Sequence, residues 1–253
     1  MSTTAVTYIG GPTVLLEWAG LRIVTDPTFD PPQTYVGDAG TATLVKTHGP
    51  GLTRAEVGVV DLVLLSHHAH KDNLDWEGLE LIASGPLTIS TRAAASDLWG
   101  GSVVGYDDWE KHQLGDVTVT IVPAQHRPGA AEQVPVVGFV LQKAGEPTVY
   151  VSGDNLSLGL VKQISENFPD IRLAVLNAGA ARVPSVDGNL TLTSADAAEA
   201  AGLLGADAVV GVHCEDWQHF SESRADLEAA FASAGRAELL AATPRGERIE
   251  LAL

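Results

Sequence analysis

Short apolar runs recur along this chain, each broken off by a polar residue. Val60-Asp61-Leu62-Val63-Leu64-Leu65, Val117-Thr118-Val119-Thr120-Ile121-Val122, Thr148-Val149-Tyr150-Val151-Ser152 and Ala208-Val209-Val210-Gly211-Val212 are aliphatic and partly β-branched. Runs of that length and composition predict buried strands rather than helices. Leu21 to Thr25 and Leu173 to Leu176 read the same way. Between them, Asp75 to Ala83, Arg92 to Leu98, Leu156 to Phe168, Ser194 to Leu204 and Ser223 to Ala234 carry helix formers. Thr193-Ser194-Ala195-Asp196 and Ser223-Arg224-Ala225-Asp226 both fit a capping pattern, so two of these helices have marked starts. The rhythm of strand, helix and strand predicts an α/β fold.

The residues just beyond the strands are chemically uniform. The run ending at Leu65 leads into Ser66-His67-His68-Ala69-His70-Lys71-Asp72-Asn73, which packs imidazoles and a carboxylate into one loop. Val122 leads through Pro123-Ala124-Gln125 to His126, Ser152 through Gly153 to Asp154, and Val212 directly to His213. A single histidine after a strand is ordinarily a hydrogen-bonded rim residue. Four strand ends delivering His or Asp are better explained by convergence, because strands lying side by side in packed sheets present those ends along one edge. Neutral imidazole with carboxylate is the donor set of a catalytic divalent ion that keeps a position open for water.

The order His-rich loop, His, Gly-Asp, His resembles the metallo-β-lactamase superfamily, and within it the lactonase-like branch that includes L-ascorbate-6-phosphate lactonase relatives. The resemblance runs from Tyr8-Ile9-Gly10-Gly11 and Thr25-Asp26-Pro27 to His213 and the last helix. It implies a four-layer αββα sandwich of two mixed sheets flanked by helices, forming one domain over residues 1–253, with one or two metal ions at one sheet edge activating a water. Carried over residue by residue, His70 and His126 resemble ligands of a first ion, Asp154 the carboxylate between two ions, and Asp72 and His213 ligands of a second. The family loop usually reads His-x-His-x-Asp-His. Counted back from Asp72, its first histidine is His68; counted forward from the strand, it is His67, and the hydroxyl residue Ser66 before it favours His67. Asn73 stands where the last histidine is expected. A neutral amide oxygen is a weaker donor that suits harder ions, so the second ion is expected to be weak, absent, or manganese or iron rather than zinc.

If the site is hydrolytic, Asp72 would orient the water or shuttle its proton, and Asp72 or His219 would protonate the leaving group. Asp72 is also expected near a helix start, where the macrodipole stabilises a carboxylate. Asp26 would hold a ligating histidine from behind or form an ordinary turn before Pro27. Arg182 would bind an anionic substrate group, and Trp109 and Trp217 would wall the pocket; a surface arginine and core tryptophans are the plainer readings. The Gly- and Pro-rich stretch from Asp30 to Gly40, continuing from Lys46 to Gly51, reads as a loop over the active site or a solvated surface loop.

Composition narrows the partners. Lys and Arg total 15 against 32 Asp and Glu, a net charge of −17, and no basic run appears, which excludes an electrostatic footprint for nucleic acid. A small substrate with one phosphate or carboxylate stays allowed. The lone cysteine, Cys214, excludes an internal disulfide and fits a reducing compartment. Met1-Ser2-Thr3-Thr4-Ala5 has neither a charged nor an apolar leader segment, and no stretch approaches ~20 apolar residues. These features predict a cytoplasmic enzyme with a small-molecule substrate, no nucleic acid and no membrane, and leave a homo-oligomer open. The leading expectation is a zinc- or manganese-dependent hydrolase of a small ester, lactone, amide or phosphoester. A mononuclear iron oxidoreductase on the same fold is the alternative, and a non-catalytic metal-binding member stands third.

Overall fold

Parallel strands on one side of each of two sheets carry their C-terminal ends to a common edge in the computed structural model, which describes residues 3–37, 42–98, 101–129 and 134–253. In spatial order the first sheet runs Arg248–Glu250, Ala5–Gly10, Thr13–Trp18, Leu21–Thr25, Leu62–Leu64, Leu87–Thr91, Ser102–Tyr106. The second runs Ala208–Val212, Ile171–Asn177, Thr148–Val151, Val137–Gln142, Val117–Pro123, Lys111–Leu114. Both are mixed. The strands starting at Leu21, Leu62, Leu87 and Ser102 are parallel neighbours, as are those starting at Thr148, Ile171 and Ala208, while hairpins complete each sheet in antiparallel pairs.

The period of two along each strand explains the layers. Leu62 and Leu64 face the core between the sheets, Val63 and Leu65 the opposite side; Leu173 and Val175 face inward, Ala174 and Leu176 outward. Both faces are buried, so these strands read as unbroken apolar runs instead of alternating ones. Trp76–Ala83 and Arg92–Asp97 cover the outer face of the first sheet with Leu81, Ile82 and Ala94. Leu158–Asn167, Ser194–Leu204 and Arg224–Ser233 cover the second with Val161, Ile164, Leu204, Leu227 and Phe231. The result is the expected αββα sandwich. Each fully buried Val, Leu or Phe in these layers contributes about 1.5–3 kcal/mol relative to exposure.

Caps set the helix ends more sharply than composition does. Thr193 and Ser223 form the two expected capping boxes with Asp196 and Asp226. Ser157 accepts from Leu160 N, so the helix expected from Leu156 begins at Leu158. Asp75 caps Trp76–Ala83 by accepting from Gly78 N. Asp72 therefore lies before the N-cap, and imidazoles rather than a helix macrodipole are its neighbours. No helix among the described residues is long and apolar enough to cross a membrane.

The Gly- and Pro-rich stretch is more ordered than a loop. Gln33–Tyr35 pairs antiparallel with Leu44–Lys46, and residues 38–41 of the stretch lie outside the described residues. The hairpin is anchored from below by a buried ion pair, with Lys46 Nζ donating to Asp75 Oδ2 at 3.0 Å and both side chains at most 2% exposed. Trp217 backs it from the side: Lys46 and Trp217 form a bridge, and Tyr35 stacks on the Trp217 ring at 5.5 Å.

Candidate metal centre

The parallel strands bring their C-terminal residues to one edge, where ligands of open α/β sheets gather. Two donor clusters form there. His67, His70 and His126 converge in one; Asp72, Asp154 and His213 in the other; within each, the donor atoms lie within 4.8 Å of one another.

In the first cluster His67 Nε2 is 2.8 Å and His126 Nε2 3.2 Å from His70 Nδ1. His126 Nδ1 lies 3.0 Å from the Leu190 carbonyl, a partner that can only accept, so the proton sits on Nδ1 and Nε2 offers its lone pair inward. His67 Nδ1 meets Ser66 Oγ at 3.1 Å and also leaves Nε2 facing the cluster. Burial, reinforced by the His70 ring, holds His67 well below the usual imidazole range, and burial also lowers His70. Neutral imidazoles with lone pairs aimed at one point are prepared for a cation.

The second cluster is anionic. Burial pushes Asp72 up, but the His219 and His213 imidazoles outweigh it and hold the carboxyl well below the usual range. Asp154 is likewise lowered, burial being outweighed by His213, His126 and His67. Burial works against a charge on His213, yet Asp154 and Asp72 raise it. The field that draws a proton to His213 also draws a divalent cation. Asp154 stands between the clusters, with Oδ2 3.5 Å from His126 Nδ1 and Oδ1 3.7 Å from His213 Nε2. Asp154 Oδ2 and His213 Nε2 are buried without a hydrogen-bond partner. Buried polar atoms are rarely left so, and ions satisfy such groups. The residues therefore fit one divalent ion in each cluster.

Supporting contacts fix the donors. Asp26 accepts from Ser66 N at 2.6 Å and Ser66 Oγ at 2.9 Å, pinning the residue before His67, and from Asn73 Nδ2 at 3.2 Å. Burial and the Asp154 charge push the Asp26 carboxyl up to about 7, against the pull of those hydrogen bonds. Asn177 Nδ2 donates to Asp154 Oδ1 at 2.7 Å. Asn177 was not singled out from the sequence, although its signal is the same as that of Asp154: a polar residue closing an apolar strand. Gly153 has φ of 54°, and a Cβ there would lie 2.5 Å from the Val137 carbonyl, so the turn that delivers Asp154 requires glycine.

Several expected site residues sit elsewhere. His68 points away from the clusters, its Nε2 3.1 Å from Asp97 Oδ2, because the loop carries one extra residue between its two donor histidines and turns His68 outward. Arg182 is exposed and its Nε donates to Asn189 Oδ1, so it does not face the site. Trp217 is 3% exposed and supports Tyr35 instead of touching a substrate volume. Trp109 lies beside the edge strand Lys111–Leu114, with its N–H on the Ile121 carbonyl. His219 does reach the site, with Nε2 2.9 Å from Asp72 Oδ2.

Above the clusters opens a cavity of about 290 Å³, floored by His70, Asp72 and His126 and walled by Tyr35, Leu44, Val183, Val186 and Leu190. Lys71 and Arg127 add positive charge to its lining. A larger cavity of about 490 Å³ beside Tyr8, Arg224 and Arg245 contains neither cluster.

The family model described as a beta-lactamase superfamily domain matches residues 21–214. An uncharacterized protein of Mycobacterium tuberculosis (strain ATCC 25618 / H37Rv) is 30% identical over 51% of this chain, and the chain spans 35% of that relative's length. A UPF0173 metal-dependent hydrolase of Anaeromyxobacter sp. (strain K) is 28% identical over 95% of this chain and 85% of its own. The structure of an isothiocyanate hydrolase from Delia radicum gut bacteria superposes with a TM-score of 0.82 at 21% identity, covering 97% of this chain and 98% of that one, which shows a shared fold. A family match over most of the chain, spanning the His, Asp and His strand ends now seen gathered at one sheet edge, makes this chain a member of the beta-lactamase superfamily.

Proposed function

We propose that the protein is a metal-dependent hydrolase of a small, largely apolar substrate. The observation that carries this reading is the placement of two buried donor clusters, three imidazoles and two carboxylates with an imidazole, at the floor of one cavity. His67, His70 and His126 would hold one divalent ion and Asp72, Asp154 and His213 a second, with zinc favoured by the imidazoles and zinc, manganese or iron by the carboxylate set. When bound, such ions bring the pKa of a water to about 7 and polarise the substrate's electrophilic oxygen.

The chain's own residues supply the rest. Asp72, ionised in its imidazole surroundings, accepts a proton at Oδ1 and passes it to the leaving group. Tyr35, Leu44, Val186 and Leu190 exclude bulk water and favour an alkyl, aryl or acyl body. Lys71 and Arg127 steer a negative or strongly polar end toward the floor. Esters, lactones, amides and phosphoesters of this shape are the substrate classes, and the structural likeness to an isothiocyanate hydrolase adds small heterocumulenes. The net charge of −17 argues against nucleic acid, and the buried thiol of Cys214 suits a cytoplasmic setting.

Elemental analysis of protein purified without chelator tests the reading. One to two equivalents of divalent metal per chain, with chelator-sensitive hydrolysis in a screen of these classes, is the expected result. Metal-free protein overturns it, and one equivalent of iron with oxygen-dependent turnover would replace it by oxidative chemistry.

A further inference from the structure

The loop that carries His213 is held in an unusual backbone. His213 has φ of 57° and Asp216 φ of 79°, both in the left-handed region that residues other than glycine seldom occupy. Such a conformation persists only where surrounding contacts over-determine it. Nor is the His213 ring oriented from behind. His126 Nδ1 faces the Leu190 carbonyl and His67 Nδ1 faces Ser66 Oγ, whereas His213 Nδ1 has no hydrogen-bond partner among the described residues. Its ring packs on Phe220 with centroids 4.2 Å apart, a contact without direction of its own. Placement of this donor therefore falls to its backbone.

That backbone is gripped through Gly11, in the turn between Ala5–Gly10 and Thr13–Trp18. The Gly11 carbonyl accepts from His213 N at 2.7 Å, and Gly11 N donates to Asp216 Oδ2 at 2.7 Å, so one residue is bonded to both strained positions of the loop. Arg245 locks the carboxylate in turn, with Nη1 donating to Oδ2 at 2.8 Å and Nη2 to Oδ1 at 2.5 Å. The Asp216 side chain is 1% exposed, and the other basic group near it, His48, lies 3.6 Å away and is itself exposed, so Arg245 is its counter-charge. A planar fork fixes a carboxylate in direction as well as in charge. A Cβ at Gly10 would lie 2.8 Å from both Arg245 Nη1 and Asp216 Oδ2, and one at Gly51 2.6 Å from Arg245 Cγ. Two glycines thus keep open the path by which the guanidinium reaches Asp216.

We propose that Arg245, acting through Asp216 and Gly11, is the positioning residue of His213 and thereby sets how tightly the cluster of Asp72, Asp154 and His213 holds its ion. The inference rests on the protein being a metal-dependent hydrolase with an ion in that cluster. It draws the C-terminal segment into the site, for Asp216 and Arg245 both lie beyond residues 21–214, which match the family model. The same clasp steadies the cavity wall, because the Asp216 carbonyl accepts from Thr47 N at 2.6 Å, next to the strand Leu44–Lys46.

Metal binding by the full chain, stripped with chelator and titrated with Co²⁺ alone, tests the assignment without reference to turnover. Wild-type protein takes up two equivalents, and His67→Ala, which removes the imidazole site, tells them apart. Arg245→Met keeps the imidazole site at wild-type affinity, which shows that it is folded, and binds the other equivalent about 10–100-fold more weakly, the loss typical of an outer partner of a ligand. Arg245→Lys, which keeps the charge and loses the fork, falls between the two and carries the comparison if Arg245→Met does not fold. Val140→Ala, a cavity in the layer behind the second sheet, lowers Tm and leaves both affinities unchanged. Wild-type affinity at both sites in the Arg245 variants overturns the assignment. So does equal weakening at both sites, or the same selective loss in Val140→Ala, since either marks an effect of general stability. Wild-type protein whose single equivalent disappears in His67→Ala also overturns it while leaving a one-metal hydrolase intact, and wild-type protein binding none sinks both.

Discussion

Replacing Asp75 by alanine removes a carboxylate that four donors share. Its Oδ1 accepts from Phe29 N at 3.0 Å and Gly78 N at 2.9 Å, and its Oδ2 from Asp30 N at 2.7 Å and Lys46 Nζ at 3.0 Å. The side chain is fully buried and Lys46 is 2% exposed, so the substitution strands an ammonium in the interior. Removing one partner of such a pair costs about 3–5 kcal/mol. The lost helix cap, about 1 kcal/mol on its own, is contained in that figure because the same carboxylate makes both contacts. Near 250 residues each kcal/mol moves Tm by about 2–4 °C, so a cost of about 4 kcal/mol lowers Tm by about 8–16 °C. Urea unfolding followed by circular dichroism at an unchanged m value gives the free energy directly. Lys46→Met is expected to cost less, since Asp75 keeps its three backbone N–H donors. In Asp75→Ala the hairpin that carries Tyr35 and Leu44 also loosens, so KM rises more than kcat falls. A loss below about 1 kcal/mol, or Lys46→Met proving the more damaging, refutes the view that this carboxylate joins hairpin, helix and the Phe29–Asp30 turn.

Four further outcomes are expected. His67→Ala loses one metal equivalent by elemental analysis, whereas His68→Ala, whose ring faces Asp97, retains full metal content. Gly179→Ala would place a Cβ 1.9 Å from the His213 carbonyl and so displaces that ligand; metal content falls by up to one equivalent, and wild-type content would contradict the packing. Chelator lowers Tm, because metal held at 100 times its Kd stabilises by about 2.7 kcal/mol; a calorimetric scan with and without chelator that shows no shift argues against ions at Asp72 and Asp154. Burial pushes the Cys214 thiol up to about 12, so it stays protonated and unreactive toward iodoacetamide at pH 8 in folded protein; mass spectrometry showing rapid alkylation would mean that its strand end opens.

The apolar strands were legible because burial on both faces writes itself locally, residue by residue, as in Leu62–Leu64 and Ala208–Val212. The donors after them were legible for the same reason: a His or Asp closing such a run has no packing role to explain it. Asn177 carried that signal too and was passed over, since an amide is not a metal ligand by type and its part here is to hold Asp154.

Sequence alone therefore determined the layered α/β architecture, the acidic character and the set of chemical groups at the strand ends, all properties of short segments or of composition. Only the tertiary structure decided which groups meet. His67 rather than His68 faces the cluster because an irregular loop has no period from which its direction can be read. Arg182 and Trp217 left the pocket because side-chain direction after a strand depends on what packs beside it. His219 joined Asp72 across 147 positions because two sheets closed over a common core, and Lys46 joined Asp75 across 29 because the hairpin folded onto the helix start.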